Sequence, residues 1–231
     1  MNLNREQKRN AYIAFLTLSA LVLIDQVIKI YVKTHFIYGE SYDLFGNWFK
    51  IYFIENEGMA YGMTLFGGGK VGKLILTFFR IFVSIFGAFY IREIIKRNQP
   101  VLLIISLSMV LAGAIGNIID SVFYGVVFSD INGYIASWFQ GNVVDMFYAP
   151  LWEGALPEWL PFWGGEHFVF FAPIWNFADA CITVGVALMI LFQKSFSLPS
   201  PYIVFEKKSK ILPEDSPISP ENSQENQTNI D

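Results

Sequence analysis

Four apolar runs separated by mixed or polar stretches organise this chain of 231 residues. They cover residues 11–32, 74–91, 101–119 and 174–192. Each is close to the roughly 20 residues that a helix needs to cross the hydrocarbon core of a bilayer. The pattern therefore predicts an α-helical membrane protein with four transmembrane helices.

The stretches between the runs predict a small β-sheet platform and an aromatic loop. Residues 48–53 are rich in aromatic and β-branched side chains, which favour strands, and several glycines up to residue 69 mark turns. We therefore expect an outer sheet at about residues 36–69, resting on the membrane, and a long loop at about 121–173 with four tryptophans. Residues 1–195 form the predicted membrane domain, and the polar residues 196–231 a disordered tail.

The distribution of Lys and Arg predicts the orientation of these helices. Residues 121–173 contain no Lys or Arg, whereas the first ten residues and the stretch 92–97 contain three each. The positive-inside rule then places both termini and the short second loop in the cytoplasm, with the sheet and the aromatic loop outside. Lys50, Lys70 and Lys73 oppose this orientation, but the loop without cations decides it.

Composition supports the membrane class and excludes several kinds of site. The chain is 54% hydrophobic and 16% charged, against about 45–50% and about 25% in soluble domains. One cysteine and two histidines exclude a disulfide framework within the chain and argue against a zinc site. No basic patch indicates nucleic-acid binding, and we expect neither a metal nor a cofactor.

Two aspartates stand out because their neighbours are apolar. Asp145 lies between Val144 and Met146, and Asp179 lies near the start of the fourth run. Bare carboxylates are costly in or beside hydrocarbon, so we predict that the fold brings these two together near the outer membrane face. Two close carboxylates in a low dielectric share a proton, which gives the base and the acid of an aspartic protease.

Further polar residues lie near the predicted outer ends of the helices. Asp25 and Lys29 share a helix face. They form a structural ion pair, or they have a functional role in which they order the outer sheet or steer a substrate. Asn56 and Gly58 fit an ordinary turn.

The third and fourth helices carry a second group of such residues. Gly113 allows a neighbouring helix to approach closely. Asn117 and Asp120 share one face and either bind an overlying loop or serve helix packing. Asn176 fits an N-terminal helix cap, a role that leaves Asp179 unexplained.

These residues together resemble the motifs of the lipoprotein signal peptidase (signal peptidase II) family over most of residues 11–193. The matching motifs are Asp25-x-x-x-Lys29, Asn56-x-Gly58-x-Ala60-Tyr61, Gly113-Ala114-x-Gly116-Asn117-x-x-Asp120, Val143-Val144-Asp145, and Asn176 with Ala178-Asp179.

The resemblance implies an aspartyl endopeptidase of the bacterial cytoplasmic membrane. Such an enzyme removes the signal peptide from diacylglyceryl-modified prolipoproteins by cutting just before the lipidated cysteine. It implies Asp145 and Asp179 as the catalytic pair, inhibition by the cyclic peptide globomycin, and no need for more than a monomer. The implied supporting residues are Asp25, Lys29, Asn56, Gly58, Gly113, Asn117, Asp120, Asn176 and Ala178.

The chain departs from the family pattern in three places. Ser121 stands where the family has an arginine, and we hypothesise that Arg80, a lone cation in the second apolar run, supplies the missing charge. Two insertions, within residues 122–140 and at about 152–170, are expected to rest on the membrane and to shape lipid access.

Two other classes of function remain as alternatives. A small transporter or proton-coupled channel could use intramembrane acids, but four spans are few, no repeat is visible, and the acids cluster at one face. A non-catalytic scaffold with a decayed site is the third reading; both aspartates argue against it, whereas Ser121 leaves room for it.

Overall fold

Four main helices form the body of the protein and confirm the predicted architecture. They are α1 (Arg5–His35), α2 (Gly69–Lys96), α3 (Val101–Ile119) and α5 (Phe177–Leu191). The computed structural model describes residues 3–46, 48–56, 69–131, 136–171 and 173–196. Gly58 and nearly all of the predicted tail lie outside these ranges.

Among the described residues, three helical segments are long and apolar enough to cross a membrane. These are α1, residues 70–96 within α2, and the continuous stretch Val101–Val127. The last of these passes the predicted helix end at residue 119, because α3 continues through a π-helical turn at Asp120–Tyr124 into the short helix α4 (Gly125–Val127). The expectation that an aromatic loop begins at residue 121 is therefore wrong.

The fourth helix is shorter than the apolar run predicts. The helix α5 has 15 residues, and the two residues at the start of the run, Ile174–Trp175, form a strand instead. The reason is Asn176, whose side chain accepts a hydrogen bond from the backbone of Asp179 and so begins the helix after the strand.

A four-stranded antiparallel sheet lies beside the helices, with strand order β1-β2-β3-β6. The strands β1 (Ser41–Phe45) and β2 (Phe49–Asn56) come from the predicted sheet region. The other two, β3 (Val143–Tyr148) and β6 (Ile174–Trp175), come from the stretch predicted as a loop and from the predicted fourth helix. A separate hairpin pairs β4 (Trp152–Ala155) with β5 (His167–Phe170).

Two apolar clusters hold these elements together. One packs residues of α1, α2 and α3, including Ile94, Leu103 and Ile104. The other joins the sheet to the helices and contains Val32, Phe53, Tyr124, Val144 and Met146. The second cluster fixes β3 against the end of α3, and it is β3 that carries Asp145.

Candidate active site

Asp145 lies in the middle of the sheet and is almost completely buried. Its strand β3 pairs with β2 on one side and with β6 on the other. Successive strand residues point to opposite faces. Because Val144 and Met146 pack into the apolar cluster, the side chain of Asp145 points away from it and accepts a hydrogen bond from Asn56 Nδ2 at 3.0 Å.

Asp179 lies in the first turn of α5 and is half-buried. It forms a reciprocal capping box with Asn176: the Asp179 N–H donates to Asn176 Oδ1 at 3.0 Å, and the Asn176 N–H donates to Asp179 Oδ2 at 3.4 Å. Asn117 Nδ2 on α3 donates to the other carboxylate oxygen at 3.0 Å. The Asp179 carboxylate is thus held in place from the start of α5 and from the end of α3.

Asn176 connects the two aspartates directly. In addition to capping α5, its side-chain amide donates to Asp145 Oδ1 at 2.6 Å and to Asn117 Oδ1 at 3.3 Å. Asp145 lies 31 positions before Asn176 in the sequence and Asp179 lies 3 positions after it. The two aspartates thus meet at one side chain. Both carboxylates accept hydrogen bonds from Asn176, and the charge of Asp179 acts on Asp145.

The surroundings of Asp145 favour a proton on its carboxyl group. Burial raises the pKa of Asp145 to about 7, and the negative charge of Asp179 acts in the same direction. Hydrogen bonds from Asn56 and Asn176 and the positive charge of Lys29 oppose this rise. Near neutral pH a large fraction of Asp145 therefore carries a proton that can be donated.

A buried ion network lies directly behind the two aspartates. Lys29 is fully buried, and its ammonium nitrogen lies 3.0 Å from Asp25 Oδ2 and 2.8 Å from Asp120 Oδ2. The same nitrogen donates to Asn117 Oδ1 at 2.8 Å. Since this bond fixes the oxygen end of the Asn117 amide, the nitrogen end is left to face Asp179.

The two acids of the network hold the backbone beside each catalytic candidate. Asp25 Oδ1 accepts from the N–H of Ala178, the residue before Asp179, at 2.9 Å. Asp120 Oδ2 accepts from the N–H of Val144, the residue before Asp145, at 3.3 Å. Lys29 therefore neutralises two carboxylates that position the two aspartates, and its burial leaves it no direct contact with a substrate.

Two glycines on α3 make room for this arrangement. A Cβ atom on Gly113 would overlap the carbonyl oxygen of Ala178 and would lie 2.6 Å from Ile182 Cγ1. A Cβ atom on Gly116 would overlap Asp25 Oδ2. Any larger residue at either position would push α5 or Asp25 out of place.

Ser121 and Arg80 occupy different environments. The Ser121 hydroxyl is buried and donates to the backbone oxygen of Asn117 at 2.9 Å, which makes it part of the helix. Arg80 is half-buried on α2, and its positive charge interacts with Asp179, Asp145 and Asp120.

Sequence reasoning missed Gln26, which lies within the ion network. Its amide nitrogen donates to Asp25 Oδ2 at 3.1 Å and to Asp120 Oδ1 at 3.0 Å, and its oxygen accepts from the Tyr124 hydroxyl at 3.1 Å. A polar residue next to Asp25 in an apolar helix was the available signal.

A second buried ion pair, between Lys33 and Glu55, ties α1 to β2 and was also missed. Within the described part of the chain, no group of three or more His, Cys, Asp or Glu side chains is arranged to hold a metal ion.

Comparison with known proteins places these residues in a family context. The model of the family described as Signal peptidase (SPase) II matches residues 17–194. A lipoprotein signal peptidase of Porphyromonas gingivalis is 47% identical over 190 residues, which cover 77% of this chain and 81% of that protein. A lipoprotein signal peptidase of Amoebophilus asiaticus is 39% identical over 189 residues, covering 80% and 78%.

The fold has a counterpart among solved structures. A structure described as a bacterial membrane enzyme aligns with a TM-score of 0.52 and 21% identity, covering 88% of this chain and 94% of that one. This likeness concerns the fold alone. Together with the apolar helices it identifies a multi-pass membrane protein, and these findings support a protease and not the transporter alternative.

Proposed function

We propose that this chain, which belongs to the signal peptidase II family, is an aspartic endopeptidase that removes the signal peptide from prolipoproteins. The observation that carries the proposal is the meeting of Asp145 and Asp179 at the single amide of Asn176. The names of the relatives from P. gingivalis and A. asiaticus supply the substrate class. The peptidase domain of the proposal covers residues 1–195.

The different surroundings of the two carboxyl groups support a division of roles. Asp145 is buried and holds the proton, so it acts as the acid that protonates the oxygen of the scissile carbonyl. Asp179 is half-exposed at a helix N-terminus, so it acts as the base that takes a proton from the attacking water. Water oxygen and carbonyl carbon then form a bond, which gives a tetrahedral diol.

Breakdown of the diol restores the pair. Asp179 gives its new proton to the leaving amide nitrogen while the carbon–nitrogen bond breaks. Asp145 takes back the proton from the diol hydroxyl, which becomes the oxygen of the new carboxyl group. No group on the protein forms a covalent intermediate in this scheme, so one carboxylic acid and one carboxylate remain after each turnover.

The proposal extends to substrate and membrane. The substrate carries a diacylglyceryl group, and the cut falls just before the lipidated cysteine. The enzyme lies in the bacterial cytoplasmic membrane as a monomer, with both termini in the cytoplasm and the site near the outer face. The lack of Lys and Arg in residues 121–173 supports this orientation.

Arg80 completes the proposed site. A half-buried cation within a membrane helix is costly and needs a compensating negative charge. The charges of Asp179 and Asp145 supply it, so Arg80 brings a positive charge close to the pair. It thereby takes the place of the arginine that the family pattern puts at position 121.

One cleavage assay tests the proposed function. The purified full chain in detergent micelles is mixed with a diacylglyceryl-modified prolipoprotein, and the product is followed on a gel. Asp145→Asn and Asp179→Asn each abolish cleavage, globomycin blocks the native enzyme, and Asp43→Asn, a change at an exposed residue of β1, leaves the rate unchanged. Cleavage that survives either substitution at the pair contradicts the aspartic mechanism.

A further inference from the structure

The β4–β5 hairpin presents large aromatic side chains that the rest of the fold does not cover. At its tip, Trp159 is 80% exposed, Phe162 91% and Trp163 59%. Further exposed apolar residues lie towards its base, namely Leu151, Phe168, Phe170 and Phe171. Exposed apolar patches rimmed by polar residues mark interaction surfaces, and one of this kind needs a partner.

The hairpin is inserted between two strands that pair with each other. Tyr148 at the end of β3 pairs with Ile174 in β6, so the chain leaves and re-enters the sheet at neighbouring positions. Immediately after β6, Asn176 caps α5. The base of the hairpin therefore lies at the N-terminal end of this membrane helix.

The length of α5 indicates what surrounds that base. Its 15 residues give a helix of about 22 Å, which is shorter than the roughly 30 Å of a bilayer's hydrocarbon core. At the C-terminal end, Gln193 and Lys194 follow almost at once and mark a polar boundary. The missing apolar length therefore lies on the N-terminal side, where the hairpin base carries its exposed aromatic rings.

The charge of the hairpin indicates which property of the membrane it uses. Residues 150–171 contain Glu153, Glu158 and Glu166 but no Lys or Arg. Attraction to anionic lipid headgroups therefore cannot hold the segment. Tryptophan and other amphipathic rings favour the zone between headgroups and acyl chains without any need for charge.

We propose that the hairpin of residues 150–171 lies in the interfacial zone of the bilayer, with lipid as the partner of its exposed aromatic rings. In this position it extends the apolar surface of the short helix α5 and fixes the depth of the helix end that carries the candidate site. The inference rests on exposure, topology and helix length, and it stands whether or not the chain is a peptidase.

Tryptophan fluorescence of the full chain in phosphatidylcholine nanodiscs tests the proposal. The signal of the hairpin tip is the difference between the native protein and the Trp159→Phe/Trp163→Phe variant, which keeps the aromatic character. A nitroxide on carbon 5 of the lipid acyl chain should reduce this difference signal at least twofold, whereas aqueous iodide should have little effect. Replacing a third of the lipid with phosphatidylglycerol should change neither result.

Three outcomes would overturn the proposal. In the first, iodide quenches the tip tryptophans and the lipid nitroxide does not, which places them in water. In the second, protection from iodide appears only after a prolipoprotein is added, which makes the hairpin a site for a protein. In the third, quenching by lipid requires phosphatidylglycerol, which means that charge governs the contact. A Trp159→Ser/Phe162→Ser/Trp163→Ser variant should have the same thermal unfolding temperature in micelles as the native protein. A fluorescent probe attached at its hairpin tip, however, should no longer be quenched by the lipid nitroxide.

Discussion

Replacing Asn176 with alanine removes three hydrogen bonds at the point where the two aspartates meet. The side chain accepts from the Asp179 N–H and donates to Asp145 and Asn117. The backbone bond from position 176 to Asp179 remains, because alanine keeps its N–H. The substitution therefore removes both what the amide does for α5 and what it does for the acid of the pair.

The expected magnitudes follow from these contacts. Loss of the helix cap costs about 1 kcal/mol of unfolding free energy. The bond to Asp145 is worth about 1.5–3 kcal/mol, but only when that carboxyl group is ionised. Since a pKa change of one unit corresponds to about 1.36 kcal/mol, the pKa of Asp145 should rise by roughly one to two units above its value of about 7.

Replacing Asn176 should shift the pH dependence of cleavage upwards. In the proposed mechanism Asp145 must keep its proton to act as the acid, so cleavage should fall as the pH rises through its pKa. Asn176 stabilises the ionised form, and its removal favours the protonated form. The alkaline limb of the rate profile therefore moves to higher pH, and the stability lost with the Asp145 bond is felt only where Asp145 is ionised in the native protein, above about pH 7.

Asn176→Ser is the matched control. Serine caps a helix about as well as asparagine, but it has no amide to donate to Asp145. Cleavage rates are measured between about pH 5 and 9, and thermal unfolding is measured in micelles. Both variants should show the same alkaline shift, while only the alanine variant loses the stability of the cap. An alkaline limb that stays in place in both variants would refute the role of the amide.

Three further substitutions test the surroundings of the pair. Lys29→Met leaves two carboxylates buried without a cation and should lower the free energy of unfolding by about 3–5 kcal/mol. Adding Asp120→Asn should restore part of this stability, and a double variant without any recovery would contradict the charge argument. Gly116→Ala should lower the free energy of unfolding by about 1–3 kcal/mol, because the added Cβ overlaps the Asp25 carboxylate. Gly87→Ala is the control: there a Cβ meets only a methyl group of Leu111 at 3.6 Å, so thermal unfolding should be unchanged. Arg80→Ala should reduce the cleavage rate by roughly tenfold or more at unchanged thermal stability, with Arg80→Lys retaining part of it; an unaffected rate would reject the electrostatic role.

The sequence predicts the parts of this fold that depend on local pattern. Uninterrupted apolar runs identify the helices because the bilayer requires every backbone group to be paired within the segment. The spacing of Asn176 and Asp179 indicates a helix start, and the apolar neighbours of Asp145 indicate burial. Each of these signals lies within a few residues, where side-chain chemistry and backbone geometry are directly linked.

The parts that could not be predicted depend on pairing between distant residues. Asp145 lies on a strand because β2 and β6 accept β3 between them, and no local pattern indicates that partnership. The π-helical turn at Asp120–Tyr124 is not indicated by any local pattern, and it lies where Asp120 and Tyr124 both bond to Gln26. Only the packed structure reveals that the ion network holds the backbone beside each aspartate.

The position of α5 at the end of the described chain has a consequence for biosynthesis. Asp145 leaves the ribosome first, and its partner follows only with the helix that Asn176 caps. Until that segment has been inserted, the nascent polypeptide carries only one acid of the proposed pair. Under the proposed mechanism, the chain gains peptidase activity only when α5 is in place, so it does not cleave neighbouring precursors before that step.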